Sequence, residues 1–409
     1  MTPLANLEAS RSVALGMLLL VVAAAGGSAA DPEIAPADAW PTARGSLAGT
    51  GRSATTLTLP LAEAWRRDFA TTAFAAVPVI ADGTIYVGDL DGSFHALELA
   101  TGKTVWTFVT KDAGFPSAAA VADDPALPLV VGDDTGIVRG LDRRTGEVRW
   151  TYATDGEISG GPTILPVAEG PRVLVGSQDA SLSCLDLATG KLLWKHSIAD
   201  QIRCGPTVAR TAAGDRVFLA GCDGRLHIID AATGEERGSV EIGGPTGTTP
   251  AVAGELVLFG TEGGGFFAID FTKPAVAWQH QPAAGGQAYR SSAAIAAGLV
   301  IVGSRGRAVE AFSLAEGTRV WRQPMPGRVD ASPVVVTAAG SAADPAAVAR
   351  AVVIVADSKG TIAALEGASG QPAWEFDAGG GFGAGAAVAA GRLVLASDDG
   401  TIWCFRPAE

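Results

Sequence analysis

Carboxylates in short turns are the residues of this sequence with the clearest capacity for chemistry. They recur at one position of a repeated pattern, as Asp89 and Asp91, Asp133 and Asp134, Asp223, and Asp398 and Asp399. Paired carboxylates can bind Ca²⁺, but Asp-Gly between two strands is also a favoured tight turn. Because the pairs recur at the same position of the pattern, we predict turns rather than metal ligands.

Histidine, the other common metal ligand, is scarce in this chain. The sequence has four, at His95, His196, His227 and His280. His95 and His227 occupy equivalent positions in distant repeats, where they cannot bind one ion together. We therefore predict no metal site.

The cysteines form two groups by their positions in the repeats. Cys184 and Cys404 occupy a slot that elsewhere holds a small residue, so we predict buried free thiols. Cys204 and Cys222 fall at the same end of one repeat. An exported chain can form disulfides, and we predict a Cys204–Cys222 disulfide, which requires Cβ atoms within about 4.5 Å.

One repeated element carries these residues. The stretch LELATGKTVW at Leu97–Trp106 recurs six times, with its final Trp or the equivalent residue at Trp106, Trp150, Trp194, Gly238, Trp278, Trp321 and Trp374. Each full repeat of about forty residues contains four short apolar strands separated by Gly and Asp turns, which indicates an antiparallel sheet. A period in the low forties over seven copies predicts a repeat architecture of such sheets. Gly238 leaves a gap that a neighbouring side chain must fill.

The two ends of the repeat array complete each other. Residues Gly383–Pro407 supply only three strands, and Leu61–Phe69 supplies a fourth with Trp65 in the anchor position. Joining the termini closes a ring and removes exposed sheet edges. We predict an all-β protein: a single eight-bladed β-propeller of four-stranded blades over residues 61–409, the last blade closed by the N-terminal strand.

Charge and the N-terminus restrict the location and the partners. The net charge is −13 and no block of Lys and Arg occurs, which argues against nucleic-acid binding. In residues 1–30, Arg11 precedes an uncharged run that ends in small residues, as in a signal peptide. An uncleaved anchor stays the alternative, and no later segment is apolar for long enough to span a bilayer. Residues 31–60 are predicted to be an extended lead-in, and the protein to be periplasmic or secreted.

The acidic-x-x-TG-x-x-x-W element resembles the pyrroloquinoline-quinone-type (PQQ-like) repeat over residues 61–409. That repeat occurs in eight-bladed quinoprotein alcohol dehydrogenases and in non-catalytic propellers such as the outer-membrane barrel-assembly lipoprotein. The segment Trp40–Gly51 is similar to the W-P-x-x-R-G lead-in that precedes such propellers. The resemblance implies that Trp65 and the six other anchor Trp residues are structural, each stacked between blades on the Gly turn of a neighbour.

In propellers of this type, the loop entering each innermost strand lines one mouth of the axial channel. Small residues dominate these loops here. The larger side chains are Glu157, Arg203, Tyr289, Arg290, Arg328 and Asp330, together with Phe115 and Phe382. Convergent polar groups in a concave mouth are the default site hypothesis, so we predict that the six polar residues bind a ligand.

The dehydrogenase members of the resemblance imply features that this chain lacks. Their calcium site uses Glu, Asn and Asp, and a disulfide of adjacent cysteines lies beneath the cofactor. Residues 31–409 contain no Asn, no two cysteines are adjacent, and no large insertions occur. No catalytic residue of that family can be assigned, and we predict no cofactor; pyrroloquinoline quinone with Ca²⁺ is the alternative.

These observations predict an exported, non-enzymatic propeller that binds a protein, peptide or small ligand through loops at one face. The expected partner is a protein or peptide of the cell envelope, and the expected form is a monomeric ring. Two alternatives stay open: a quinone-binding oxidoreductase, and a role like that of the outer-membrane assembly propeller. The second requires partners to bring the protein to the membrane, because no Cys lies near the signal cleavage site.

Overall fold

Short apolar strands separated by glycine turns build eight sheets, as the repeat predicts. The computed structural model describes residues 33–69, 71–281, 286–339 and 350–408. The predicted signal peptide, residues 1–30, lies outside the described residues. No helix in the described ranges has the length and apolar character needed to cross a membrane.

The strands follow the chain in order. Two precede the repeats, β1 (Arg52–Thr58) and β2 (Leu61–Asp68). Blade 1 consists of β3 (Val79–Ala81), β4 (Thr84–Gly88), β5 (Ser93–Glu98) and β6 (Thr104–Val109). Blade 2 consists of β7 (Leu129–Gly132), β8 (Ile137–Leu141) and β9 (Val148–Ala153), with a single bridge from Ala120 to Val130 in the innermost position.

Blade 3 consists of β10 (Thr163–Leu165), β11 (Arg172–Ser177), β12 (Ser181–Asp186) and β13 (Leu192–Ser197). Blade 4 consists of β14 (Thr207–Ala209), β15 (Arg216–Ala220), β16 (Arg225–Asp230) and β17 (Glu236–Glu241). Blade 5 consists of β18 (Ala251–Ala253), β19 (Leu256–Gly260), β20 (Phe266–Asp270) and β21 (Ala275–His280).

Blade 6 consists of β22 (Ala294–Ala296), β23 (Leu299–Ser304), β24 (Ala308–Ser313) and β25 (Arg319–Pro324). Blade 7 consists of β26 (Val334–Ala339), β27 (Arg350–Ala356), β28 (Thr361–Glu366) and β29 (Pro372–Asp377). Blade 8 consists of β30 (Ala387–Ala389), β31 (Arg392–Ala396) and β32 (Thr401–Pro407), and β2 is its outermost strand.

The predicted all-β, eight-bladed propeller is confirmed, including its closure. β2 pairs antiparallel with β32, and Trp65 lies opposite Cys404, so one blade contains both ends of the repeat array. The middle strands of each blade are buried on both faces, whereas the outermost strands alternate between buried and exposed residues. A continuous apolar run marks a strand covered on both sides, here by the two adjacent blades.

The lead-in follows the inner edge of the ring from blade to blade, a course that the sequence did not predict. Its backbone binds the innermost strand of almost every blade. The N–H···O=C contacts of 2.7–3.0 Å are Ile80 to Trp40, Val121 to Pro41, Val208 to Leu47, Val252 to Ala48, Ile295 to Thr50, Val335 to Gly51 and Ala390 to Ala37. β1 then pairs parallel with β26 and gives blade 7 a fifth strand. The ring is therefore closed around its own N-terminal segment.

Tryptophans fasten each blade to the next one. The Trp150 indole packs on Gly190 of blade 3 and donates a hydrogen bond of 2.9 Å to the Leu187 carbonyl. A Cβ on Gly190 would lie 2.5 Å from the indole, and φ is +70°, so glycine is required there. The same Nε1–H donation, at 2.9–3.2 Å, is made by Trp65, Trp106, Trp194, Trp278, Trp321 and Trp374.

Blade 4 shows how the chain fills the position without a fastener. Gly238 replaces the Trp, and Pro274 of blade 5 replaces the Gly that would receive it. A Cβ on Gly238 would lie 2.9 Å from Pro274 Cγ, so the pyrrolidine ring occupies the indole's place. The gap expected from the sequence is filled by this neighbour.

Candidate binding face and axial channel

The loops of the propeller form two faces because neighbouring strands run antiparallel. We call the upper face the one made by the loops that enter the innermost strands and by the turns between second and third strands. These two sets of loops are hydrogen-bonded to each other: the N–H of Phe115 donates to Asp89 O (2.8 Å), and that of Gln178 to Glu157 O (3.0 Å). The remaining turns form the lower face. The upper face is thus a fixed ring rather than eight independent loops.

The axial channel is filled where the innermost strands begin. Arg44 of the lead-in is buried, and its Nη2 donates to the carbonyls of Ala293 (2.8 Å) and Pro333 (2.9 Å). Burial lowers the pKa of this guanidinium to about 9. Beside it lies a cavity of about 10 Å³ between Thr42 and Thr249, about the volume of one water molecule. A tricyclic quinone does not fit at this level of the channel.

The upper face carries charged residues around this filled axis. Arg203 and Arg290 are exposed, and Arg290 Nε lies 2.9 Å from Glu262 Oε1, which joins two adjacent blades. Arg203 donates to the Gln201 side chain at 2.6 and 3.0 Å. These are solvated contacts of the kind that contributes little to stability, so both guanidinium groups are available to a partner.

Carboxylates also lie on the upper face, at blades 7 and 8. Asp330 pairs with Arg305 at 3.1 Å, and Asp398 accepts the Gly383 N–H at 2.8 Å. Burial raises the pKa of Asp398, and the nearby carboxylates of Asp399 and Asp330 raise it further against the opposing Gly383 hydrogen bond. The exposed arginines of this face thus lie on blades 4, 6 and 7, and the carboxylates of Asp330 and Asp398 lie on blades 7 and 8.

The remaining predicted site residues differ in accessibility. Arg328 is exposed, and its N–H donates to Ser358 Oγ at 3.0 Å. Glu157 is half-buried, and its carboxylate accepts from Ser159 Oγ at 2.8 Å. Both residues lie on the upper face.

Tyr289 does not line the channel mouth, which corrects the sequence prediction. Its side chain is buried between blades, its hydroxyl donates to Glu310 at 2.9 Å, and its ring meets Phe266 edge-on at 5.7 Å. Burial and the Glu310 carboxylate raise the Tyr289 pKa. Phe115 and Phe382 are likewise fully buried. Tyr289 is a core residue at the interface of two blades.

The acidic turns act as caps of the second-to-third-strand turns. Asp89 Oδ1 accepts the backbone N–H groups of Asp91 (3.1 Å) and Ser93 (2.8 Å). Asp133 Oδ1 accepts those of Thr135 (3.0 Å) and Ile137 (2.9 Å). The carboxylates therefore satisfy turn N–H groups, as Asx turns do.

The predicted Cys204–Cys222 disulfide is wrong for this structure, in which all four cysteines, each within the described ranges, are free thiols. Cys204 Sγ faces the Ala220 carbonyl at 3.3 Å, and Cys222 Sγ faces the Thr246 carbonyl at 3.7 Å. Burial raises the pKa of Cys204, Cys184 and Cys404 to about 12. These three thiols are therefore unreactive core residues.

A cavity that the sequence did not indicate lies at the lower face. It has a volume of about 430 Å³ and is formed where the lead-in meets the turns of blades 2 and 3. Ile34, Leu47 and Leu127 contribute apolar surface, and Glu33 and Asp123 contribute carboxylates. Burial raises the pKa of Glu33. Its size is at the lower end of small-ligand pockets, and the path of the lead-in creates it.

The repeated Trp-on-Gly fastener and the eight closed blades define a propeller of the PQQ-like repeat class. The chain belongs to the family described as outer membrane protein assembly factor BamB, whose model matches residues 61–161, 134–212, 178–325 and 305–408. No curated protein matches the sequence significantly.

Solved structures share the fold at low sequence identity. BamB from Moraxella catarrhalis aligns with a TM-score of 0.68 and 19% identity over 85% of this chain and 100% of that one. Quinohemoprotein alcohol dehydrogenase from Comamonas testosteroni aligns with a TM-score of 0.71 and 14% identity over 91% and 82%. The computationally designed Ika8 protein aligns with a TM-score of 0.64 and 16% identity over 84% and 99%. At these identities the similarity establishes the fold alone.

Proposed function

We propose that the protein is an exported, non-enzymatic scaffold that takes part in outer-membrane protein assembly and docks a protein partner through its upper face. The observation that carries this proposal is the placement of charge. Arg203 and Arg290 stand on the rim of a closed ring whose axis is filled by Arg44 and the rest of the lead-in. A rigid ring with charged loops offers a partner a surface to bind rather than an enclosed reaction site.

The family supports the assembly role. Its description names an outer membrane protein assembly factor, and the Moraxella relative aligns over its full length. The signal-like residues 1–30 support export to the compartment where such assembly takes place. The 19% identity to the solved relative establishes the fold alone, so the assembly role is part of our proposal.

The charge pattern indicates the chemistry of the partner. Two exposed arginines on blades 4 to 6 favour an acidic segment, and the carboxylates at Asp330 and Asp398 favour a basic one beside it. Complementary rim charges mainly accelerate association and set orientation. Binding is therefore expected to weaken as salt rises, because exposed charges are screened.

The quinone alternative has less support from the residues present. The channel is filled at the level of Arg44, and residues 31–409 contain no Asn for a calcium site of the dehydrogenase type. We therefore assign no step of chemistry to the protein. Titration with pyrroloquinoline quinone and Ca²⁺ tests this point, and binding followed by dye-coupled alcohol oxidation would overturn the non-enzymatic assignment.

The assembly role is tested by deleting the gene and measuring folded outer-membrane β-barrels by heat-modifiable mobility. Deletion is expected to lower their amount, and the wild-type gene to restore it. A double variant R203E/R290E is expected to fail in restoration. The matched control R144E/K273E makes the same change of charge at exposed positions of the lower face. Unchanged barrel levels after deletion would contradict the assembly role, and equal restoration by both variants would contradict docking at the upper face.

A further inference from the structure

Two histidines from adjacent blades face each other between blades 3 and 4. His196 lies on β13 and His227 on β16, with ring centres 6.2 Å apart. Glu236, the first residue of β17, brings a carboxylate oxygen to 3.3 Å from His227 Nδ1 and 3.6 Å from His196 Nε2. The three groups offer ligand atoms that all lie within 4.8 Å of one another.

A second contact orients each imidazole. His227 Nε2 lies 2.9 Å from Asp223 Oδ2, and His196 Nδ1 lies 3.0 Å from the Gly234 carbonyl oxygen. Because the Gly234 carbonyl oxygen can only accept, a neutral His196 carries its proton on Nδ1 and turns the lone pair of Nε2 towards Glu236. His227 lies between two carboxylates, and its shorter contact with Asp223 favours the proton on Nε2 when the ring is neutral. Outer hydrogen bonds of this kind fix the tautomer and orientation of metal-binding histidines.

The inward-facing atoms are then three acceptors directed at one point. In these tautomers both inward ring nitrogens present lone pairs, and the ionised Glu236 has only acceptors. His196 Nε2 is buried and has no hydrogen-bond partner among the described residues. A buried acceptor left unpaired destabilises the fold, and these converging acceptors repel one another unless a proton on His227 or a metal cation lies between them.

The spacing fits zinc. Bonds of about 2.0–2.2 Å in a tetrahedron place neighbouring ligand atoms about 3.3–3.5 Å apart. The two separations to Glu236, 3.3 and 3.6 Å, are close to that value. The distance between the two ring nitrogens is within 4.8 Å and would need to shorten by no more than about 1.5 Å to reach it. Two imidazoles and one carboxylate suit Zn²⁺, whereas Ca²⁺ and Mg²⁺ prefer oxygen alone.

The equivalent position in blade 1 shows what the repeat provides without a metal. His95 occupies the place of His227, and its Nε2 lies 3.2 Å from Asp89. Its Nδ1 meets the Thr107 hydroxyl at 3.3 Å, and its ring packs on Phe69 at 4.6 Å. The His-Asp pair is therefore common to both blades, and the second histidine with the glutamate distinguishes blade 4.

We propose that His196, His227 and Glu236 bind one Zn²⁺ that joins blades 3 and 4, with Asp223 as a positioning residue for His227. The Glu236 side chain is 36% exposed, whereas those of His196 and His227 are 13% and 6% exposed. The ion therefore enters from the Glu236 side, and a solvent water completes its four ligands. The ion adds a second bond to the junction of blades 3 and 4, which Trp194 also fastens.

The test is isothermal titration of the tag-free, EDTA-treated protein with zinc chloride. Wild type and H95Q are expected to bind one zinc per chain with the same affinity and to melt at a higher temperature with zinc than without it. E236Q and H196Q are expected to lose both effects, and D223N to weaken binding about 10–100-fold. X-ray absorption of the wild-type complex is expected to show two imidazoles and light-atom ligands only.

E236Q keeps the test decisive if a histidine variant fails to fold. The side chain at position 236 is partly exposed, and glutamine has the same shape as glutamate. Its circular dichroism spectrum without zinc provides the folding check. The absence of stoichiometric zinc binding to the wild type would overturn the proposal. Binding that is equally tight in a folded E236Q or H196Q would overturn it as well and leave only an ion pair between His227 and Glu236.

Discussion

The pair Gly238 and Pro274 offers a direct test of how the blades are fastened. At six other junctions of the ring a Trp packs on a Gly of the next blade, and here a Gly faces a Pro. We expect that G238W alone destabilises the protein, because Pro274 Cγ already occupies the space 2.9 Å from the new Cβ. P274G alone opens an unfilled gap. The double variant G238W/P274G rebuilds the fastener of the other blades.

The magnitudes follow from the size of the indole and the space available. Forcing a large side chain against Pro274 lowers the free energy of unfolding by about 1–3 kcal/mol. Replacing Pro by Gly lowers it by about 0.4–1 kcal/mol, because the unfolded chain gains conformational entropy. A buried indole removes about 150–250 Å² from water, and truncation of such residues typically costs about 3–5 kcal/mol. We therefore expect a favourable coupling free energy of about 2–3 kcal/mol between the two substitutions. This value lies at the upper end of the range observed for pairs of residues in contact.

Urea denaturation of the four proteins, followed by circular dichroism, measures this coupling. G238W/P274A is the matched control, because the alanine at position 274 keeps a Cβ where the other blades have a Gly. In blade 3 a Cβ at that position, on Gly190, would lie 2.5 Å from the Trp150 ring. The control is expected to show much less coupling than the double variant. Free energies that add to within about 0.5 kcal/mol would refute the account of the fastener.

Three further changes test the buried parts of the ring. W40A is expected to lower the free energy of unfolding by about 3–5 kcal/mol in urea denaturation, because Trp40 is fully buried in the lead-in; a loss below about 1 kcal/mol would mean that the lead-in is not part of the core. Y289F is expected to cost about 0.5–1.5 kcal/mol through the lost hydrogen bond to Glu310 without changing partner binding, and impaired binding would return Tyr289 to the docking site. Thiol titration is expected to give four free thiols in urea and, in the native protein at pH 8, a reaction only at the half-buried Cys222; a count of two in urea would restore the Cys204–Cys222 disulfide.

The architecture was predictable because the repeat contains it several times. A Trp and a Gly at fixed positions, repeated seven times, specify strands, turns and the fastener together, and Trp65 reveals the closing strand. The course of the lead-in was not predictable. Its hydrogen bonds run from single backbone groups to seven different blades, and such contacts leave no periodic pattern in the sequence.

The position of Tyr289 was open to prediction but was missed. It aligns with Phe115, Ile158 and Ile202, which all pack against a Gly at the end of a second strand. An apolar residue at the same step of several repeats indicates a core position, whereas considering Tyr289 by itself suggested a ligand contact. Arg203 and Arg290 directly follow this core position in their repeats, which is why the sequence placed them at one mouth of the ring.

The facing histidines were missed for a related reason. Comparing equivalent positions placed His95 and His227 in distant blades. Adjacent blades meet through non-equivalent positions, the outermost strand of one against the third strand of the next, and this register brings His196 to His227. Glu236 joins them from the first position of β17, and no other histidine or carboxylate of the repeat pattern indicates this meeting of three side chains.

Cross-linking from single positions tests most directly the claim that the upper face docks a protein partner. A photo-reactive amino acid is introduced at position 203 or 290 on the upper face, or at position 144 or 273 on the lower face, and cells are irradiated. Cross-links to an outer-membrane assembly component are expected from positions 203 and 290, and they are expected to decrease in high salt. Cross-links to that component from positions 144 and 273 alone would contradict this claim.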